Sequence, residues 1–338
     1  MTITANTTFQ TRTNERGQVL NVLDMRRPAV QARQDLAWEL RQQGFTNLQI
    51  MAMVGFNDTS SVSTAIKRGR ERACVNAGRI SYRRFGVEVE FTGTTRREVA
   101  AKLLELDPNF PVEVQGYNHR VQNCWKLITD ASVSNGPEGA GLEAVSPILS
   151  GEEGYRQLSL MMQAIREVGG KVDLSCGIHV HHDANDFTPA QVANMVRFYV
   201  DNQRVVDLMV SRSRRSTNAN RWCQPMGATE LERVDADIKT GVKSVLNRYD
   251  RYRTINVTSY PKYGTLEIRQ HQGSLNAKKI SAWVKVGQAM MQAAMRQAEG
   301  ARPVFRELPE LLDYLVTNGG LDREVADYMV ERAEDLNG

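Results

Sequence analysis

Three segments of this chain put a charged or imidazole side chain at every second position, and this alternation restricts the fold more than any other feature. They are Phe85-Gly86-Val87-Glu88-Val89-Glu90-Phe91, Cys176-Gly177-Ile178-His179-Val180-His181-His182 and Thr265-Leu266-Glu267-Ile268-Arg269-Gln270-His271. Successive side chains of a β-strand point to opposite faces of its sheet. Each segment therefore reads as a strand with an apolar face (Val87, Val89 and Phe91; Ile178 and Val180; Leu266 and Ile268) and a polar one. The polar faces carry Glu88 and Glu90, His179 and His181, or Glu267, Arg269 and His271, and His182 is expected on the side opposite its two neighbours. A sheet that packs its apolar face on helices and turns the other into a cleft gathers the groups that hold divalent metal and phosphate.

The intervening chain supplies the helices. Residues 95–106 read as a helix stopped by Pro108, 121–129 as a strand, 130–141 as a turn-rich link and 142–147 as a short strand ending at proline. Residues 154–168 form an amphipathic pattern, 188–210 a helix opened by Thr188-Pro189, 253–257 a strand followed by hairpin-compatible chain to Thr265, and 278–299 a helix. Strands separated by long helices in this way define an α+β fold with a mostly antiparallel sheet.

At 338 residues, with 41% hydrophobic and 24% charged content, the chain has room for one large domain and one small one. It contains no uninterrupted apolar run of about 18 residues, so no membrane partner is expected. Its first residues lack the basic-then-apolar layout of an export signal. Cys74, Cys124, Cys176 and Cys223 are scattered without a Cys-x-x-Cys pair, which predicts reduced thiols in a cytoplasmic setting.

The net charge of +4 is unevenly spread: residues 1–84 sum to +7 and the remainder to −3. Residues 1–22 are polar and aperiodic and predict a flexible arm. Residues 23–78 predict three short helices. The first places Val30, Leu36, Ala37 and Leu40 inward and stops at Gly44. The second opens with a Thr46–Gln49 capping box, with Leu48, Ile50, Met51 and Val54 as its apolar positions. The third starts at Thr59 or Ser60 after a turn containing Gly55. Its outer face carries Ser61, Thr64, Lys67, Arg68 and Arg70, a pattern that resembles a helix-turn-helix domain with DNA as its partner. A solvated basic face on a plain three-helix cap has the same residues.

Five segments carry a family resemblance: Gly-Val-Glu-Val-Glu-Phe, Leu-Glu-Ala-Val-Ser-Pro, Cys-Gly-Ile-His-Val-His, Tyr-Arg-Thr-Ile-Asn-Val and Gly-Thr-Leu-Glu-Ile-Arg-Gln-His-Gln-Gly-Ser-Leu. In this order they resemble the amidoligases, ATP-dependent carboxylate–amine ligases of glutamine-synthetase-like fold, over residues 85–295. The resemblance implies a curved sheet, backed by helices, whose concave face holds ATP and Mg²⁺ (or Mn²⁺), within a catalytic domain of residues 85–300 followed by a helical extension at 301–338. It implies metal ligation by Glu88, Glu90, Glu143 and Glu267, and catalytic roles for Glu267, Arg269 and His181. Nucleotide contacts fall to His179 and Asn256, with Arg253 and Arg221 as further phosphate contacts. The substrates are a carboxylate and an amine. Where the family often reads His-Glu-Gly-Thr, this chain has His271-Gln272-Gly273-Ser274, which removes an acidic group at position 272.

Other readings compete. A lone Glu-x-Glu is most often a solvated strand face, and a His-x-His pair also begins zinc hydrolase sites, for which His271 is the available third imidazole. A DNA-binding regulator with a non-catalytic ligase-like body is a third. The joint occurrence on three strands favours the ligase.

Overall fold

The computed structural model describes residues 11–13, 19–21 and 26–338 other than 119, 135, 219 and 299. Most of the expected arm therefore lies outside the described residues. Within it, β1 (Thr11–Thr13) and β2 (Val19–Asn21) pair antiparallel.

Three helices follow: α1 (Arg26–Gln42), α2 (Asn47–Val54) and α3 (Thr59–Asn76). The Thr46–Gln49 capping box forms, Gly44 and Gly55 are left-handed, and Asp58 caps α3 by accepting from the Ser61 amide at 2.7 Å. Ala37, Leu40, Ile50, Val62 and Ala65 make a small core of their own. Val30, Leu36 and Leu48, expected inside, are exposed at 45%, 38% and 64%. α1 and α3 approach closely at Gly69, which packs against Gln34 and Trp38. At Gly69 a Cβ would lie 2.3 Å from the Gln34 carbonyl oxygen. Alanine is the better helix former by about 1 kcal/mol, yet this backbone cannot yield locally. Gly69→Ala is therefore expected to destabilise these helices by roughly 1–3 kcal/mol, read as an earlier unfolding transition in denaturant.

The body comprises β3 (Phe85–Phe91), α4 (Arg96–Leu106), β4 (Val112–Val114), β5 (Trp125–Asp130), β6 (Gly141–Val145), α5 (Gly151–Glu167) and β7 (Gly177–Asp183). Next come α6 (Pro189–Asp201), α7 (Gln203–Val206), α8 (Ala228–Lys239), β8 (Ile255–Asn256), α9 (Ser259–Tyr263), β9 (Thr265–Gln272) and α10 (Ala277–Arg296). The chain closes with α11 (Leu308–Tyr314) and α12 (Arg323–Asn337).

Seven strands form one mixed sheet in the order β4-β5-β6-β3-β7-β9-β8, with β4–β5 parallel and every other pairing antiparallel. The fold is α+β. Val87, Val89, Phe91, Ile178, Val180, Leu266 and Ile268 are buried in one continuous core with Met161 and Ile165 of α5, Tyr199 of α6 and Trp283 of α10. Leu311 of α11 and Met329 of α12 join the same core, so the C-terminal helices are part of the body's packing.

Three elements differ from expectation. The strand at 121–129 begins only at Trp125, because Gln122 hydrogen-bonds Gln115 within a loop. The helix at 188–210 breaks at Asn202, whose side-chain amide donates to the Phe198 and Pro303 carbonyls and so competes with the helical ladder. The hairpin before Thr265 contains α9 instead, ended by left-handed Gly264, which leaves β8 only two residues. Among the described residues, no helix is long and apolar enough to cross a membrane.

Candidate active site

The site is built by register. β3 lies between β6 and β7, and β9 lies beyond β7. Glu88 is therefore opposite His179, Glu90 opposite Glu143, His181 opposite Glu267, and Glu267 opposite Asn256. Residues up to 179 positions apart thus share one face.

Their side chains meet. His179 Nδ1 lies 3.2 Å from Glu88 Oε2, and its Nε2 lies 3.8 Å from Glu90 Oε1. His181 Nε2 is 3.6 Å from Glu88 Oε1 and 4.0 Å from Glu267 Oε2, while its Nδ1 meets Thr265 Oγ1 at 3.0 Å. Asn256 Nδ2 donates to Glu267 Oε2 at 2.6 Å. Arg269 Nη1 donates to Glu267 Oε1, and Arg269 Nε to the Trp222 carbonyl at 3.4 Å. Glu90 Oε2 accepts from the Gly177 amide at 2.5 Å.

Two sets of ligand atoms are each within 4.8 Å of one another: Glu88, His179 and Glu267, and Glu90, Glu143 and His179. His179 belongs to both. All of these residues but Glu90 line a cleft with about 1420 Å³ of open space counted out to its mouth, together with His181, Arg269 and others.

The electrostatics of this wall are set by burial and by the close approach of its charges. Burial alone would raise the Glu88 carboxyl, but hydrogen bonds from His179 and His181 and their charge hold it well below the usual range. Burial, then the charges of Glu88, Glu90 and Asp130, push Glu143 well above it. Burial would also raise Glu267 and lower His181; the Arg269 and His181 charges keep Glu267 low, and Glu267 and Glu88 keep His181 raised. Arg269 is likewise raised against its burial by Glu267 and Glu88. Carboxylates outnumber cations here, and Glu143 holds its proton more tightly than an isolated carboxyl does. A divalent cation held by these carboxylates would add positive charge and compete with that proton. The donor set, oxygen-rich with one imidazole, fits Mg²⁺ or Mn²⁺.

Sequence alternation misplaces one residue. Between Ile178 and Val180 the register with β9 shifts, so three steps on β9 span two on β7. This bulge resets the alternation. Gln270 and His271 both turn to the core, Gln270 onto Tyr199 Oη, Gln203 and Asp207, and His271 against Trp283 with centroids 5.3 Å apart. His271 is thus not on the face of Glu267 and Arg269. Gln272 Oε1 accepts from the Ser211 amide. His182 does lie opposite its neighbours, beside Gly287 of α10, and neither ring nitrogen has a hydrogen-bond partner among the described residues.

Two expected phosphate contacts fall outside the cleft lining. Arg253 pairs with Glu230 at 3.0 Å because a bridge to Gln224 turns it toward α8, and exposed Arg221 stacks over Trp222 at 4.5 Å. Ser61, Thr64, Lys67, Arg68 and Arg70 are all exposed on α3.

The cleft also contains residues that the sequence did not single out. Lys126, between buried Trp125 and Leu127 on β5, is itself buried and donates to Asn118 and Arg120 oxygens at 2.9–3.2 Å. The Trp-Lys-Leu alternation was the available signal for it. Tyr263 of α9 meets His181 edge-on at 6.0 Å, but only the chain's turn at Gly264 brings it there.

The mixed sheet gathers a buried cluster of carboxylates and imidazoles beside a cleft, a donor set able to hold a divalent cation. The family model described as "Putative amidoligase enzyme" matches residues 81–291, well over half of the chain, and covers β3 through most of α10. The chain belongs to this amidoligase family, a family of ligases. No curated protein matches it.

Proposed function

We propose that the chain is an ATP-dependent ligase joining a carboxylate to an amine through an acyl phosphate, on a curved glutamine-synthetase-like sheet. The observation that carries this reading is the pair of ligand clusters sharing His179, beside Arg269, at one cleft. With ATP and Mg²⁺ or Mn²⁺ bound, a carboxylate oxygen takes the terminal phosphoryl group as ADP leaves; the amine nitrogen then bonds the acyl carbon, phosphate departs and one proton is released.

The chain's own residues hold, orient and neutralise. Glu88, Glu90, Glu143 and Glu267 are the hard oxygen donors that Mg²⁺ takes, and His179 adds a nitrogen better suited to Mn²⁺. Asn256 ties down one oxygen of Glu267 and Arg269 the other, which fixes the carboxylate's orientation. Arg269, held in turn by the Trp222 carbonyl, offers a preorganised positive charge to a moving phosphoryl group. His181 sits between Glu88 and Glu267, which favour a proton on its ring at the cleft surface. The hydrolase reading loses support, since His271 faces the core rather than the cluster.

The test is ADP release screened over acid and amine pairs. Turnover is expected only with Mg²⁺ or Mn²⁺, ending with EDTA, and dropping on the order of 10²–10³-fold in Arg269→Met. Release at the wild-type rate by Glu88→Ala, or without a divalent cation, would overturn the reading.

A further inference from the structure

The helical front end is seated on the rim of the cleft. Ser61, Thr64, Arg68 and Glu71 follow one another along one face of α3, three or four residues apart. Glu71, at the lower end of this row, is buried. It accepts from Ser150 Oγ at 2.6 Å and lies 3.9 Å from Arg84, which is itself paired with Asp183. Arg84 and Asp183 both line the cleft. On α1, Gln31 Nε2 reaches the carbonyl of Asn185, another lining residue, at 3.4 Å. One turn above Glu71, the Arg68 guanidinium is pushed down by burial and then by the like charge of Arg84, while Asp183 and Glu71 pull it back. The exposed hydroxyl and cationic face of α3 therefore runs directly into the cleft mouth.

The mouth continues the same charge. Arg120, Arg251 and Lys262 line it and are exposed, and none has a carboxylate partner within ion-pair distance among the described residues, nor do Lys67, Arg68 and Arg70 of α3. Arg251 is not a loose surface group, since it stacks over Tyr252 at 4.9 Å and donates to that residue's hydroxyl at 3.0 Å. The carboxylate cluster is buried, while Arg120, Arg251 and Lys262 at the entrance and Lys67, Arg68 and Arg70 on α3 are exposed cations; Arg84 and Arg72 near them are paired with Asp183 and Asp35. Cations spread over four segments of the chain match a ligand with many regularly spaced anions. The α3 face adds Thr64, and Ser61 whose hydroxyl donates to the capping Asp58 carboxylate at 2.8 Å, on a projecting helix, the shape admitted by the major groove of B-form DNA and refused by the deep, narrow groove of duplex RNA.

We propose that α3 and the cleft mouth form one binding surface for duplex DNA, so that DNA held by the helical front end lies across the entrance to the site. Any role of that DNA as carrier of a ligation partner rests on the proposed function above. The surface itself does not.

The full chain is titrated into a labelled 20-base-pair duplex and followed by anisotropy at 50 and 200 mM salt. Two paired variants, Lys67→Gln with Arg68→Gln and Arg120→Gln with Lys262→Gln, are each expected to weaken binding at least ~10-fold and to lower the salt slope by about one per lost phosphate contact. All four side chains are exposed, and far-ultraviolet circular dichroism confirms that each variant is folded. Absence of duplex binding at 50 mM salt, wild-type affinity in the cleft-mouth pair, or equal affinity for duplex RNA or an oligoglutamate peptide would overturn the surface. Duplex binding through both patches in a chain that releases no ADP would uphold the surface and sink the ligase reading. Turnover on small acceptors without duplex binding would do the reverse.

Discussion

Glu267→Ala is expected to lower the stability of the chain by roughly 3–5 kcal/mol, the range found when one partner of a buried ion pair is removed. Arg269 is only 9% exposed, and besides Glu267 its guanidinium meets the Trp222 carbonyl at 3.4 Å and the Tyr252 ring at 5.8 Å, neither of them an anion. Without Glu267 it becomes a buried charge with no counter-ion at contact, and the Asn256 amide loses its acceptor at the same time. The change also removes one ligand of the Glu88–His179–Glu267 set. The double variant Glu267→Leu with Arg269→Met separates the two effects. Replacing both ions with apolar groups of similar size is expected to recover most of the stability, while Mn²⁺ affinity and ADP release stay low. Denaturant unfolding of the single and double variants, with Mn²⁺ titrated by electron paramagnetic resonance, measures both. A double variant as unstable as Glu267→Ala would mean that the pair contributes by shape rather than charge.

The same residues show how far the sequence carried. Alternation alone set Glu88, Glu90, His179, His181, Glu267 and Arg269 on polar strand faces, because a strand with buried Val, Ile and Phe on one side has only one way to turn the rest. Whether the three strands were neighbours was not legible, since the order β6-β3-β7-β9 pairs segments far apart in the chain. The amidoligase resemblance supplied that expectation, and the register bears out the shared face. Alternation failed at His271 because a bulge costs one residue of register and leaves no compositional mark; Gln270 and His271 look as strand-like as their neighbours. For Arg253 and Arg221 only charge is legible in the sequence, and their partners, Glu230 and the Trp222 ring, come from distant or local geometry that charge does not encode. Lys126 is the opposite case: the Trp125-Lys126-Leu127 alternation sets it on the polar face without marking its burial. Buried lysines are rare, so nothing in the sequence suggested that three loop oxygens would collect its ammonium.

His271 gives the second large expectation. It is buried against Trp283, and burial pushes its imidazole down to about 3, with the nearby Arg332, Arg214 and Lys279 charges acting in the same direction and a bond to the Gln272 carbonyl opposing. A histidine titrating near 6.5 when unfolded and so much lower when folded binds its proton only in the unfolded state across the interval between. Stability from this group is complete above pH 6.5 and falls by about 1.4 kcal/mol per pH unit below it. Burial and the Arg83 charge also hold His182 down to about 3, and it acts in the same sense. Glu143, raised well above its usual value, acts oppositely over this range, because the folded state then holds the extra proton. His181, also raised, loses its contribution only as pH climbs above 6.5. These three groups are common to the wild type and to His271→Leu, so they cancel in the difference between their unfolding curves. That difference is expected to change by about 3 kcal/mol between pH 7 and pH 4.5, in the direction that makes His271→Leu relatively more stable in acid. Denaturant unfolding at half-unit steps over that interval measures it. A difference that stays flat across those steps would mean that His271 takes up its proton within the fold, with the Gln272 carbonyl stabilising the imidazolium against the apolar surface of Trp283.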